Sequence, residues 1–157
     1  MPNHYIIPRI IKWKAGCECL YLQISPTVAI KIYSTLAKAQ FAHKRQSKAY
    51  KAGIAPKVLS TVSSCSLHNL NQDIQYELEY IFKSDYHRTG FFYKTQVAKT
   101  KNIKNLQRNL NHIINIFQRF KWRASDIRID NVGYVNDKLV AVDFGQITTS
   151  NYYYNKS

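Results

Sequence analysis

Asp126, Asn131 and Asp143 are a carboxylate, an amide and a second carboxylate within one short stretch, SDIRIDNVGYVNDKLVAVDFGQ, that runs from Ser125 to Gln146. With Asp130 and Asp137 the stretch holds four of the chain's nine acidic residues, in a protein that carries 23 Lys and Arg. Hard oxygen donors gathered against a cationic background suit a divalent ion such as Mg²⁺, which takes oxygen ligands and keeps waters that phosphate can replace. A second chemical group stands far upstream: Lys31, at the end of VAIK in YLQISPTVAIKIY, Tyr21 to Tyr33. A lysine on an alternating strand is ordinarily solvated, so its chemistry depends on what stands near it.

A hairpin can position the acidic group. Asn136-Asp137 suits a two-residue turn between DNVGYV and KLVAV, because both residues tolerate positive φ. Val135 then pairs with Lys138, Asn131 lies opposite Val142, and Asp130 lies opposite Asp143. That register makes Asn131 and Asp143 diagonal neighbours, within about 8 Å at Cα. Asp126 returns to the same place through the intervening loop.

Other elements must carry Lys31. Strict alternation around Ser25-Pro26 predicts a hairpin whose second strand puts Val28, Ile30 and Ile32 on one face and Ala29, Lys31 and Tyr33 on the other. From about Ser34 to Ala52 the residues are rich in Ala, Lys and Gln and end at Gly53 and Pro56, which predicts a helix with a C-terminal stop. KVLSTVSS and DIQYELEYIF, Asp73 to Phe82, read as two more strands, followed by a polar link containing Gly90. Ile103, Leu106, Leu110, Ile113, Ile114 and Phe117 recur at spacings of three and four, which predicts an amphipathic helix.

In this order the motifs resemble those of the protein-kinase-like phosphotransferases, in a minimal, atypical form like the small kinase-like proteins of phages. VAIK, the pattern D-x-x-x-x-N from Asp126 to Asn131, and DFG from Asp143 to Gly145 follow one another as they do in that family. GIAPKVL and ELEYI resemble the connection into the fourth strand and the approach to the hinge, so the likeness spans about Lys14 to Gln146.

The resemblance implies an α+β, two-lobed protein-kinase-like fold. A small antiparallel-sheet N-lobe with hinge would occupy about residues 1–83, and a truncated helical C-lobe with catalytic loop and DFG would occupy 84–157, as a single unit. It implies ATP and Mg²⁺ as cofactors and phosphoryl transfer to a protein or small-molecule hydroxyl. Lys31 would contact the nucleotide phosphates, Ala29 would leave room for adenine, and Gly16 would lie in the loop over the phosphates. Glu79, Tyr80 and Ile81 would give hinge backbone. Asp126 would take the acceptor's proton, Arg128 would stand near the γ-phosphate, and Asn131 and Asp143 would hold the metal.

The chain also departs from that pattern. WKAGCECLYL has Gly16 alone where the family has several glycines, and no acid lies between Glu18 and Asp73 to pair with Lys31, leaving Gln40 or Gln46 to bond it. Ala124 and Ser125 precede Asp126 in place of His-Arg, and twelve residues follow Gly145, with no APE motif among them. Regulation by a phosphorylated activation segment is therefore not expected. An alternative is a weakly active or inactive kinase-like binding or structural protein of a virion or a host complex.

Composition sets the remaining expectations. The chain has 157 residues, with 45% hydrophobic and 13% aromatic content, enough for one cored unit and too much for a disordered chain. No apolar run reaches the roughly 20 residues of a membrane span. Cys17, Cys19 and Cys65 are an odd and sparse set, and a reducing cytoplasm, or a virion, is the expected setting. A formal net charge of +14 favours nucleic acid or an acidic protein as a partner alongside the nucleotide. Lys101, Lys104 and Arg108 form a stripe on the second helix, and Tyr152 to Tyr154 could stack on bases. A dimer would supply surface that so short a C-lobe lacks.

Overall fold

A computed structural model describes residues 5–16, 18–99, 106–124, 127 and 131–144. Its centre is a five-stranded antiparallel sheet in the order β1-β2-β3-β5-β4, and a separate hairpin, β6-β7, stands apart from it. The sheet strands are β1 (Lys12–Ala15), β2 (Cys19–Gln23), β3 (Val28–Tyr33), β4 (Ser63–Ser66) and β5 (Thr89–Gln96). The helices are α1 (Leu36–Lys51), α2 (Gln72–Phe82) and α3 (Leu106–Arg119), and the hairpin pairs β6 (Val132–Val135) with β7 (Lys138–Ala141). The fold is thus α+β.

Local chemistry sets most of these boundaries. At the β2–β3 turn Ser25 Oγ accepts from the Val28 amide at 2.9 Å. Thr35 caps α1 by accepting from Lys38 N at 3.2 Å. The other end closes as a Schellman motif: Gly53, at φ 81°, donates to Tyr50 O, and Ile54 N donates to Ala49 O.

β3 has the expected two faces. Ile30 and Ile32 pack with Leu20, Leu22, Phe92 and the α2 residues Ile74, Leu78 and Phe82. On the opposite face Tyr33 packs with Tyr93 and with Ala39 and Ala42 of α1. The sheet therefore lies between α1 and α2. A further core joins Leu110, Ile113, Ile116 and Phe117 of α3 to Trp122, the hairpin residues Val132, Tyr134, Leu139 and Ala141, and Ala49, Ile54 and Ala55 at the end of α1. Ala141 N donates to Ile54 O at 2.8 Å, which ties the hairpin to the α1 C-terminus.

Two expected elements are corrected. DIQYELEYIF is helix, not strand: Asn71 Oδ1 accepts from Ile74 N at 3.0 Å, a helix N-cap. Ile74, Leu78 and Phe82, four apart, are its buried residues, while Tyr76 and Tyr80 are 63% and 78% exposed. Conversely, the Gly90-containing link is the interior strand β5, paired on both sides. A Cβ at Gly90 would lie 2.8 Å from Ile32 Cγ2, so glycine permits the close packing of that strand. The sheet consequently continues to Gln96, past the boundary expected near residue 83. KVLSTVSS contributes only the start of β4 and an isolated bridge from Val58 to Thr95. No helix of the described residues is long and apolar enough to cross a membrane.

Candidate functional site

Lys31 lies on the α1-facing side of β3 and is 4% exposed. Its Nζ donates to Gln46 Oε1 of α1 at 3.0 Å and to the carbonyl oxygen of Val142, the residue before Asp143. The Lys31 ammonium also stands 5.5 Å from the Phe144 ring centroid. Burial lowers the Lys31 pKa, opposed by Cys19 and Asp143. Burial likewise pushes the Cys19 thiol up to about 12, so at neutral pH the thiol is uncharged and Asp143 supplies the opposing charge.

Gln46 is fully buried and uses its whole amide. Oε1 accepts from Lys31 and from Tyr93 Oη at 2.8 Å. Nε2 donates to Pro56 O at 3.0 Å and to Thr95 Oγ1 at 2.7 Å. Pro56 O can only accept, which fixes the amide's orientation. Of the two glutamines expected near Lys31, Gln40 is exposed on the far side of α1.

The hairpin adopts the expected register, with Val135 opposite Lys138 and Val132 opposite Ala141. Val142 N donates to Asn131 O at 3.1 Å. Asn136 and Asp137 have φ of 50° and 65°, the paired positive values of a type I′ turn. The bond from Val142 N brings the Asn131 backbone against the residue before Asp143, just beyond the last strand pair, Val132 and Ala141, and Asp143 is exposed. An amide oxygen and a carboxylate are hard donors of the kind Mg²⁺ takes. Among the described residues no group of three or more His, Cys, Asp or Glu could hold a metal ion. Asp126, Arg128 and Gly145 lie outside the described residues, as do Cys17, Lys101, Lys104 and Tyr152 to Tyr154.

The sheet register adds residues that the motifs did not reveal. Lys14 pairs with Tyr21, Tyr21 with Lys31, and Lys31 with Tyr93. Directly opposed residues share a face, so one row reads Lys14, Tyr21, Lys31, Tyr93. The next row on that face reads Lys12, Gln23, Ala29, Thr95. Gly16 is exposed in the β1–β2 turn, where its N–H donates to Cys19 O at 2.8 Å. Ala29 is fully buried beside Thr95.

The expected hinge residues require correction. Glu79, Tyr80 and Ile81 lie in α2, which covers the Ile30 face of the sheet rather than the Lys31 face. Glu79 O already accepts the N–H of Lys83 at the helix end. The chain leaves the sheet instead through Gln96 to Lys99: Val97 N donates to Thr27 O at 3.0 Å, and Lys99 bridges to Tyr134 of β6. Gly133 permits this approach, since a Cβ there would come within 2.8 Å of Ala98 Cβ.

No family model matches the chain, and no curated protein sequence matches it.

Proposed function

We propose that the chain is a minimal, two-lobed, kinase-like phosphotransferase that binds ATP with Mg²⁺ and transfers the γ-phosphoryl group to a protein or small-molecule hydroxyl. One observation carries the reading: Lys31 Nζ bonds the carbonyl of Val142, next to Asp143, across a sequence separation of 111 residues. The VAIK segment and the residues Val142 to Phe144, which are far apart in sequence, thus meet around one ammonium, with a side chain of the intervening helix α1 as its second hydrogen-bond partner.

In this reading Lys31 neutralises the nucleotide phosphates, with Gln46 fixing its direction where a carboxylate is usual. Asn131 and Asp143 would hold Mg²⁺, which supplies charge compensation on the phosphate oxygens. The acceptor oxygen attacks the γ-phosphorus as the bond to the β–γ bridging oxygen breaks. ADP leaves, and Asp126 takes the acceptor's proton. The link at Gln96–Lys99, in place of Glu79 to Ile81, is the backbone next to the base. Positioning and electrostatic compensation are most of what this reaction demands of a protein.

Thermal unfolding with and without Mg-ATP tests the site. A rise in melting temperature that needs Mg²⁺ and disappears in Asp143→Ala is expected through binding linkage. No shift at millimolar nucleotide in the natural chain would overturn the reading. Release of ADP that is abolished in Asp126→Asn would then establish transfer. The single glycine of the β1–β2 turn favours a second reading, in which nucleotide binds without turnover. A Mg-ATP shift with no ADP formed would select it.

A further inference from the structure

The outer face of α1 carries a feature that phosphotransfer does not use. Phe41, Arg45 and Lys48 follow one another at spacings of four and three, and Lys44, Lys48 and Lys51 do the same beside them, so all five share one side of the helix. Gln46 is two residues from Lys44 and Lys48 and points into the core, so this surface is separate from the Lys31 site. The Arg45 guanidinium lies 4.8 Å from the Phe41 ring and 4.9 Å from that of Trp122. Lys48 Nζ lies 4.5 Å from the Phe120 ring and 5.9 Å from Trp122.

Packing accounts for part of this. The cation–aromatic contacts hold α1 against the segment after α3, and Lys48 and Lys51 suit the C-terminal end of the helix dipole. Neither argument explains Lys44, which is exposed in mid-helix, or Phe41, which is 40% exposed beside Arg45. Like charges at these spacings repel, and α1 contains no acidic residue at all. Its one ion pair among the described residues joins Lys38 to Asp85 at 3.5 Å, near the other end of the helix. Such a face is relieved by a polyanion.

We infer that this face of α1 docks single-stranded nucleic acid, with Lys44, Lys48 and Lys51 on successive phosphates and the Phe41 ring under a base. The combination selects that partner. A row of cations tracks a phosphate backbone, and an exposed aromatic ring among them stacks on any base, whereas an acidic polypeptide would use the charges and leave the ring idle.

The test is fluorescence anisotropy of a labelled oligothymidylate titrated with the natural chain over a series of salt concentrations. Lys44→Gln with Lys51→Gln removes two exposed charges and should weaken binding while flattening the salt slope by about 1.4, near 0.7 for each phosphate no longer neutralised. Phe41→Leu keeps an apolar side chain against Arg45 and should weaken binding roughly tenfold with the slope unchanged. Unaltered melting temperatures in both variants separate these effects from misfolding. Absence of oligonucleotide binding, or binding indifferent to both variants, would overturn the inference. So would polyglutamate or phosphatidylserine vesicles bound as tightly as the oligonucleotide and insensitive to Phe41→Leu.

Discussion

Gln46 holds the ammonium of Lys31 at 3.0 Å with the same oxygen that accepts the Tyr93 hydroxyl, while its nitrogen donates to Pro56 O and Thr95 Oγ1. All four hydrogen-bonding positions of the amide are filled inside the core. A carboxylate there would gain charge attraction to Lys31 and could still accept from Tyr93 and from a rotated Thr95 hydroxyl. It could not donate to Pro56 O. A buried carbonyl left without a donor outweighs the added attraction, so Gln46→Glu should destabilise the fold by about 1–3 kcal/mol in urea unfolding. Gln46→Leu, which also strips Lys31 of its side-chain partner, should lose roughly 3–5 kcal/mol. An unfolding midpoint raised by Gln46→Glu would mean that Lys31 needs a carboxylate more than Pro56 needs its donor.

Lys31→Met separates ligand binding from stability. Removing a buried ammonium relieves its desolvation while giving up two hydrogen bonds, so the ligand-free melting temperature at neutral pH should stay close to that of the natural chain. The Mg-ATP shift should vanish. The pH dependence has a definite sign. Burial lowers the folded pKa of Lys31, so the unfolded chain holds the proton more tightly. The natural chain therefore gains stability relative to Lys31→Met as pH rises from the folded pKa towards the unfolded one. Melting curves of both proteins at neutral and alkaline pH measure that difference, and a natural chain that becomes relatively less stable over this window would contradict the buried charge.

Local signals make several elements readable in the sequence. The Asn136-Asp137 turn and the alternation around it specify the β6-β7 register, and with it the bond from Val142 N to Asn131 O. Gly53 marks the end of α1, and the three-and-four spacing of Leu106 to Phe117 marks α3. DIQYELEYIF is ambiguous because its residues satisfy two periods at once: Ile74, Tyr76, Leu78, Tyr80 and Phe82 alternate as a strand does, while Ile74, Leu78 and Phe82 repeat at four as a helix does. The Asn71 cap and the better burial of the four-residue set decide for helix. Gly90 obscures β5, since a glycine inside a strand signals close packing only when its neighbours Ile32 and Leu67 are known. The choice of Gln46 over Gln40, the contact of Lys31 with Val142, and the pairing of Lys31 with Tyr93 depend on tertiary contacts that no local pattern records.

Alkaline pH should unfold the protein through its buried hydroxyls and thiols. Burial pushes Cys19, Cys65 and Tyr21 each up to about 12, and raises Tyr33 and Tyr93 well above their ordinary value. A folded pKa above the unfolded one means that the stabilisation is complete below the unfolded pKa and is lost as pH rises towards the folded one. Urea midpoints should hold steady to about pH 8.5 and fall progressively towards pH 12. Tyr93→Phe removes one such group and should reduce the fall above about pH 10, while giving up the Gln46 hydrogen bond at every pH. A midpoint flat across this range would mean that these side chains are open to water.

Lys14 is the remaining cation of the Lys31 row, two pairings away across Tyr21. Opposed residues stand about 5 Å apart at Cα, so Lys14 and Lys31 flank the Tyr21 ring at a separation of about 10 Å, comparable to the reach of one flexible lysine side chain on either side. Where several glycines would let backbone amides approach phosphate, this chain has Gly16 alone, and an exposed ammonium on the same sheet face can take over part of that grip. Lys14→Gln should therefore raise the Mg-ATP concentration needed for half of the thermal shift by roughly tenfold, a loss of about 1.4 kcal/mol, with the ligand-free melting temperature unchanged. Tyr21→Leu distinguishes the neighbouring ring from the charge: it should weaken ATP and adenosine alike, whereas Lys14→Gln should weaken ATP and leave adenosine untouched. Equal loss of both ligands in Lys14→Gln would mean that the side chain shapes the β1–β2 turn rather than meeting phosphate. An unchanged ATP midpoint, with the shift itself still abolished by Lys31→Met, would confine the phosphate contact of this face to Lys31.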